Sequence, residues 1–209
     1  MKINWDSEVL SSVSKVVDQL EHLSINKDSI ESVADWLAYE EFSIPTSTAV
    51  RDDADDFIRA TMFMNTLNFA FTDFDKSIKY EVNKDGKILS DSEAMYFQVN
   101  NAISSGIQLT DGNEMASISL QQLKNIFVGN IEMPMLKERV EILNEVGQKL
   151  VDSYEGDWIN FINNGPKKLY SDGGGLIERL IEEFPRFDDS SQFKGSNVKF
   201  YKLAQLAFW

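Results

Sequence analysis

The spacing of apolar residues along the chain predicts a protein built mostly from helices. Apolar residues recur every three or four positions in 5–23 and 25–42, and 51–71 is apolar enough to form a central, buried helix. Helical patterns also cover later stretches of the chain, namely 92–104, 119–128, 131–154, 155–162, 176–184 and 197–209. Only 77–89 alternates as strands do, on either side of Asp85-Gly86, a dipeptide typical of hairpin turns. We therefore predict an all-α fold with one small β-hairpin, in a single helical domain over residues 1–209.

The stretch 131–154 shows the helical pattern most clearly. Leu136, Val140, Leu143 and Leu150 fall on one face of the predicted helix and should be buried. Gly147 lies on the same face, where the lack of a side chain predicts close approach of another backbone. This helix should therefore be a packing element of the core.

The net charge limits the ligands that the protein can bind. Asp and Glu outnumber Lys and Arg by 34 to 20, the formal charge is −14, and no stretch is strongly basic. Proteins that bind DNA or RNA neutralise phosphates with clustered basic residues, so a polymeric nucleic acid is a poor candidate ligand. A small anionic ligand fits better, because one helix N-terminus and one or two lysines can hold a phosphate.

Residue counts and motifs exclude several kinds of chemistry. The chain has no cysteine and one histidine, so we predict no thiol chemistry, no metal and no cofactor. None of the common phosphate-loop, serine-hydrolase or metalloprotease motifs is present. The Gly173–Gly175 run lacks a preceding strand and is interpreted as a turn at a helix start. No apolar run is long enough to span a membrane, and no signal peptide begins the chain, so a cytoplasmic protein without membrane contact is expected.

Two polar groups stand out within apolar surroundings. Asn68 interrupts the apolar run LNFAF, and burying an unpaired amide costs about 1–3 kcal/mol, so it should have a partner. That partner is either a neighbouring loop or a ligand. Tyr201 and Lys202 fall close together with Gln205 on the predicted last helix. They either line a polar pocket or border the core, and periodicity does not distinguish these alternatives.

Six stretches, in this order, resemble the queuosine salvage protein family, the queuosine 5'-phosphate N-glycosidase/hydrolase group. The similarity covers most of the chain and is weakest in the first 50 residues. The matching stretches are LNFAF (67–71), NNAISSGIQLTDG (100–112), SLQQLKNIF (119–127), MPMLKERVEILNEVGQKL (133–150), FPRFDD (184–189) and FYKLAQL (200–206). The helix in 131–154 therefore also carries a family pattern, MP…ER…ILNE.G.

The resemblance implies an all-α fold related to the helical DNA glycosylases. It also implies hydrolysis of the N-glycosidic bond of queuosine 5'-phosphate, with release of queuine for salvage into tRNA modification. The expected partner is thus a small-molecule nucleotide. Because the departing 7-deazaguanine base lacks the N7 that other purine hydrolases protonate, such an enzyme must rely on a carboxylate that stabilises or attacks the sugar cation.

The resemblance also implies site residues, carried over position by position. Asn68, Phe69, Tyr201 and Lys202 are expected to bind substrate, and Glu40 matches the position of a substrate-contacting histidine in many family members. The family's key aspartate lies in a segment resembling FADYR-x-P, downstream of the FYK-x-AQ helix, and this sequence stops at Trp209 before it. We therefore assign no catalytic residue and expect the domain to be incomplete at its C-terminus.

Two alternatives to hydrolysis remain from the sequence. The first is a non-catalytic helical module, derived from this family, that binds a nucleotide or a protein. The second is a DNA-repair glycosylase on a related fold, which the net charge of −14 disfavours.

Overall fold

The computed structural model describes residues 8–17, 19–40 and 53–202. The helices are α1 (Glu8–Val17), α2 (Lys27–Leu37), α3 (Ala54–Thr66), α4 (Asp91–Ser104), α5 (Gly112–Ser117), α6 (Leu120–Ile126), α7 (Leu136–Tyr154), α8 (Trp158–Asn163), α9 (Leu176–Glu183) and a 3-10 turn (Pro185–Phe187). The strands are β1 (Thr72–Asp73), β2 (Ile78–Lys79), β3 (Glu81–Lys84), β4 (Lys87–Ser90), β5 (Ser190–Phe193) and β6 (Ser196–Lys199). The predicted mainly helical fold is confirmed for this part of the chain. The prediction of one hairpin is wrong, since these strands form three two-stranded antiparallel sheets.

The described residues fall into two compact units. Unit 1 contains α1, α2, β5 and β6, and unit 2 contains the remaining elements. In unit 1, α1 packs against β6, where the Lys199 N–H donates to Ser12 Oγ at 2.9 Å. The helix predicted over 197–209 is therefore wrong at its start, because β6 occupies its first residues. Residues 203–209 of that helix lie outside the described residues.

Two of the hairpins turn through a dipeptide in the left-handed region. Asp85 and Gly86 have φ values of 52° and 88°, as the predicted turn requires, and β3 pairs with β4 on either side of them. Lys194 and Gly195 adopt the same signs, with φ of 45° and 81°, between β5 and β6. The first hairpin confirms the prediction, and the second is an addition to it.

Helix α7 is the main packing element of unit 2. Of the predicted stripe, Leu136, Leu143 and Leu150 are buried, whereas Val140 is only half-buried. Gly147 lies against α5, as its position predicted, and one turn before it Asn144 donates from Nδ2 to the carbonyls of Met115 and Ile118 at 2.9 and 3.2 Å. The family pattern in this helix thus includes two residues that hold the neighbouring segment in place.

A cluster of aromatic rings forms the core around α8 and α9. The fully buried Trp158 ring has centroid distances of 5.9 Å to Phe161, 4.9 Å to Phe184 and 6.4 Å to Phe187. Most of these rings meet edge to face, the arrangement that aromatic pairs prefer. Residues 184–188 of the FPRFDD stretch are therefore anchored in unit 2 through their two phenylalanines.

An ion pair joins the middle of α3 to the start of α8. Arg59 donates to Asp157 through two nitrogens, Nε to Oδ1 at 2.9 Å and Nη2 to Oδ2 at 2.8 Å. Asp157 is also the N-cap of α8, since it accepts from the Ile159 N–H at 3.0 Å. The Arg59 hydrogen bonds lower the pKa of the Asp157 carboxyl below its ordinary value.

Replacing Asp157 with asparagine is expected to reduce the fall of the melting temperature at acid pH. Because the folded pKa is lowered, the pair stabilises the fold above the unfolded pKa of about 3.9, and this contribution is lost as the pH falls through the folded pKa. Asparagine retains the helix cap, so the change isolates the charge. The measurement is the melting temperature between about pH 2 and pH 7. Arg59→Gln should have the same effect. If the melting temperature of both variants depends on pH as that of the wild type does, the pair does not stabilise the fold as described.

Candidate functional site

The chain leaves the helical conformation at the LNFAF stretch, residues 67–71. Helix α3 ends at Thr66, and Ala70 has a φ of 46° in the left-handed region. The prediction of a continuous helix over 51–71 is therefore wrong at its C-terminal end. These five residues form a connection to β1, which we call the LNFAF loop.

The carbonyl groups of the LNFAF loop accept hydrogen bonds from Arg139 of α7. This side chain is fully buried, and its Nη1 donates to the Leu67 carbonyl. Its Nη2 donates to the carbonyls of Phe69 and Ala70, the latter at 2.9 Å, and its Nε donates to the Pro134 carbonyl at 3.1 Å. The guanidinium thus replaces the amide donors that a continuing helix would have supplied.

The aromatic rings of the loop contact the same guanidinium. Its central carbon lies 4.3 Å from the ring centroid of Phe69 and 5.2 Å from that of Phe71, within the range of cation–π attraction. Among the described residues, no carboxylate forms an ion pair with Arg139. Burial lowers the pKa of Arg139 to about 10, so the group stays charged at neutral pH.

The end of the loop is held by the first hairpins. The Tyr80 N–H donates to the Phe71 carbonyl at 2.8 Å. Tyr80 is fully buried, and this burial raises the pKa of its hydroxyl to about 12. Asn130 holds the following strand, since its Oδ1 accepts from the Glu81 N–H at 2.7 Å and its Nδ2 donates to the Lys79 carbonyl at 3.0 Å. Both ends of the LNFAF loop are therefore fixed by regular structure.

Asn68 lies at the second position of this loop. Its backbone N–H donates to the Asn65 carbonyl at 3.4 Å, but its side-chain amide makes no hydrogen bond to any residue that the structure describes. The prediction that it lies inside a helix is wrong, and the expected bond to a neighbouring loop is not found in that part of the chain. Since the side chain is half-buried outside the helix, it avoids the cost of full burial.

The other predicted site residues lie in different settings. Phe69 is half-buried, adjacent to Asn68 in the LNFAF loop. Tyr201 is buried at 6% exposure with a φ of 47°, and Lys202, also in unit 2, is exposed. Glu40 is exposed three residues after the end of α2, in unit 1. The structure therefore brings Asn68 and Phe69 together, and the roles of Glu40, Tyr201 and Lys202 remain predictions.

The glycine run beside α9 is a turn and a helix start, as interpreted from the sequence. The Glu178 carboxylate accepts three backbone N–H groups of this turn, those of Ser171 at 2.8 Å, Gly173 at 3.0 Å and Gly175 at 2.7 Å. Burial raises the pKa of Glu178, but the three donors together outweigh this effect and lower it. These three N–H groups of the turn therefore already have an anionic acceptor, the Glu178 carboxylate of α9.

Metal sites and membrane-spanning helices are both absent from the described residues, 8–17, 19–40 and 53–202. No three histidine, aspartate or glutamate side chains converge there as a metal site would require. None of the helices in these ranges combines the length and the apolar character needed to cross a bilayer. The polar group that the sequence analysis missed is Arg139. The indication available was its place in the family pattern, as the arginine of MP…ER.

The fold and the site define a mainly helical protein in which a buried arginine holds a short loop that carries an amide and an aromatic ring. Comparison with known proteins specifies this class further. A family model described as "Queuosine salvage protein" matches residues 48–208. The chain belongs to the queuosine salvage protein family.

Three relatives, each named queuosine 5'-phosphate N-glycosylase/hydrolase, illustrate the similarity. The Bos taurus protein is 31% identical over 144 residues, which are 68% of this chain and 41% of that protein. The Mus musculus protein is 30% identical over 156 residues, 73% of this chain and 45% of that protein. The Sphaerobacter thermophilus protein is 25% identical over 201 residues, 95% of this chain and 60% of that protein. The matched region thus spans less than two thirds of the length of each of these relatives.

Proposed function

We propose that this chain acts in hydrolysis of the N-glycosidic bond of queuosine 5'-phosphate. Water would replace the base at the sugar carbon, giving free queuine and ribose 5-phosphate, and the queuine would be salvaged into tRNA modification. The observation that carries the proposal is membership of a family whose named relatives are queuosine 5'-phosphate N-glycosylase/hydrolases. We also propose that the helical fold is related to that of the helical DNA glycosylases.

The LNFAF loop supports a nucleotide site in this region. Asn68 offers both a donor and acceptor on an amide that has no hydrogen-bond partner in the described chain, and hydrogen bonds to base or sugar need such a group. Phe69 places an aromatic ring next to it, and flat bases stack on aromatic rings. In this proposal Glu40, Tyr201 and Lys202 are further substrate contacts. The acidic chain, with a net charge of −14, suits a mononucleotide better than a polymer.

The test is release of queuine from queuosine 5'-phosphate by the purified chain, followed by chromatography, together with calorimetric titration of the same nucleotide. Turnover would support the proposed reaction, and Glu40→Gln would then be the first carboxylate variant to assay. Binding without turnover would favour the alternative, a non-catalytic nucleotide-binding module. If the chain neither binds nor hydrolyses the nucleotide, the proposal is overturned for this chain.

Replacing Asn68 with alanine is expected to weaken nucleotide binding by about tenfold, because one or two hydrogen bonds to the ligand are lost. The melting temperature should change by less than about 2 °C, since the amide has no protein partner in the described residues. Asn101→Ala is the matched control, because Asn101 is an exposed asparagine of α4 in the same unit. Equal binding by the wild type and Asn68→Ala would remove Asn68 from the site.

A further inference from the structure

Most of the carbonyl groups of the LNFAF loop accept hydrogen bonds from one side chain. Three of its five carbonyls, those of Leu67, Phe69 and Ala70, accept from the Arg139 guanidinium. The Asn68 carbonyl is not among them, and the Phe71 carbonyl accepts from the Tyr80 N–H. The arginine also bonds to the Pro134 carbonyl at 3.1 Å, which fixes its stem to the start of α7.

The rings of the loop are fixed by the same group. Phe69 and Phe71, at 4.3 and 5.2 Å from the guanidinium carbon, contact it directly. A planar guanidinium can hold carbonyls at its edge and rings at its faces at once, which a lysine ammonium cannot. The orientations of the loop backbone and of the Phe69 ring are therefore set together.

The conformation of the loop is one that needs such support. Ala70 has a φ of 46°, and residues with a Cβ rarely adopt the left-handed region. Conformations of this kind persist where the surrounding structure fixes them, and they occur often at ligand sites. Two independent features, the strained residue and the buried cation, thus coincide at one loop.

We propose that Arg139 is a positioning residue, which holds the LNFAF loop so that the Asn68 amide and the Phe69 ring are presented to the nucleotide. This inference rests on the proposed function, because it takes the nucleotide as the ligand of the loop. Arg139 itself contacts the loop and not the substrate. Its effect on binding must therefore pass through Asn68 and Phe69.

The chain offers a matched control in Arg179 of α9. Arg179 is 9% exposed, its Nη2 donates to the Phe161 carbonyl at 2.7 Å, and its guanidinium carbon lies 4.5 Å from the Phe161 ring centroid. It therefore shares with Arg139 a carbonyl and a ring contact, here in the aromatic cluster, and it also pairs with Glu183 at 3.5 Å. Substituting lysine at either position retains the charge and removes the planar fork.

The experiment is a double-mutant cycle on the dissociation constant for queuosine 5'-phosphate, with the full chain. Arg139→Lys is expected to weaken binding by about tenfold, and Asn68→Ala to weaken it by a similar factor. In the Arg139→Lys background, Asn68→Ala should cost less than about twofold further, because the amide is already misplaced. Arg179→Lys should leave the dissociation constant within about twofold of wild type, even where it lowers the melting temperature.

A second readout, amide hydrogen exchange, follows the loop without a ligand. The Leu67 and Phe69 amides donate to Met64 and Leu67 at 3.0 and 2.9 Å, so their exchange reports on the loop. Arg139→Lys should accelerate it by about tenfold or more, and Arg179→Lys should not.

Each outcome bears on one of the two proposals. Additive effects in the cycle, or equal loss of binding in both lysine variants, would overturn the positioning role while the proposed function stood. If the wild-type chain binds no nucleotide, the proposed function fails, and with it the presentation of Asn68 to that ligand. In that case, unchanged loop exchange in Arg139→Lys would also overturn the claim that Arg139 holds the loop.

Discussion

Replacing Gly147 with alanine is expected to lower the free energy of unfolding by about 3 kcal/mol or more. An ideal Cβ at this position would lie 2.3 Å from the Ala116 nitrogen and 2.7 Å from the Gly112 carbonyl oxygen. Both are backbone atoms of α5, so no side-chain rotation relieves the contact. The clash should outweigh the gain of about 1 kcal/mol that alanine has over glycine within a helix.

The surroundings of Gly147 leave α5 little freedom to move away. Asn144 holds the carbonyls of Met115 and Ile118, and the Gly112 N–H donates to the Gly156 carbonyl at 2.8 Å. Both ends of the short helix are thus tied to α7 and the turn after it. Urea unfolding, followed by the fluorescence of the buried Trp158, measures the loss.

Gly174→Ala is the control for the glycine substitution. A Cβ there would meet only the Ser171 carbonyl oxygen at 3.4 Å and a Pro166 side-chain carbon at 4.0 Å, ordinary contact distances. Its unfolding free energy should stay within about 0.5 kcal/mol of wild type. A Gly147→Ala variant as stable as this control would show that α5 does not lie against α7 as described.

Replacing Arg139 with methionine is expected to cost about 3–5 kcal/mol of unfolding free energy. Methionine has a similar length but no donors, so the carbonyls of Leu67, Phe69, Ala70 and Pro134 would lose the bonds from Arg139, and within the described chain only that of Leu67 would keep another bond, from the Phe69 N–H. Leaving a buried acceptor unpaired costs about 1–3 kcal/mol, and several are lost here at once. The same urea titration measures the effect.

Arg186→Met is the control, because it removes an exposed arginine where Arg139→Met removes a buried one. Its side chain is 46% exposed and pairs with Glu145 at 2.8 Å. Exposed pairs contribute little, so this variant should lose less than about 1 kcal/mol. If both methionine variants unfold alike, the hydrogen bonds of Arg139 to the loop do not carry the stability assigned to them.

The parts of the fold that could be predicted are those that short stretches determine. Helix α7 follows from an apolar repeat within a few turns, and Gly147 lies in that repeat as the one position without a side chain. The β3–β4 hairpin follows from Asp85-Gly86, both of which tolerate positive φ. The hairpin at Lys194-Gly195 was missed because lysine at the first turn position is unusual, and because its strands are mostly polar.

The parts that could not be predicted depend on contacts between distant residues. The apolar pattern continues past Thr66, so nothing local indicates that α3 ends there. The helix ends just before Leu67 and Phe69, whose carbonyls accept hydrogen bonds from Arg139, about seventy positions later in the chain. The spacing from Leu136 and Leu143 places Arg139 on the apolar face of α7, but nothing local indicates which carbonyls pair with a charged residue there.

The chemistry of that arginine has a consequence for pH studies of this protein. Although burial lowers the pKa of Arg139 to about 10, the guanidinium remains cationic throughout the physiological range. The contacts that shape the LNFAF loop are thus independent of proton concentration between about pH 5 and pH 8. A change in nucleotide affinity over that interval would report on the ligand's phosphate or on other titrating side chains, and could be interpreted without allowing for deformation of the loop.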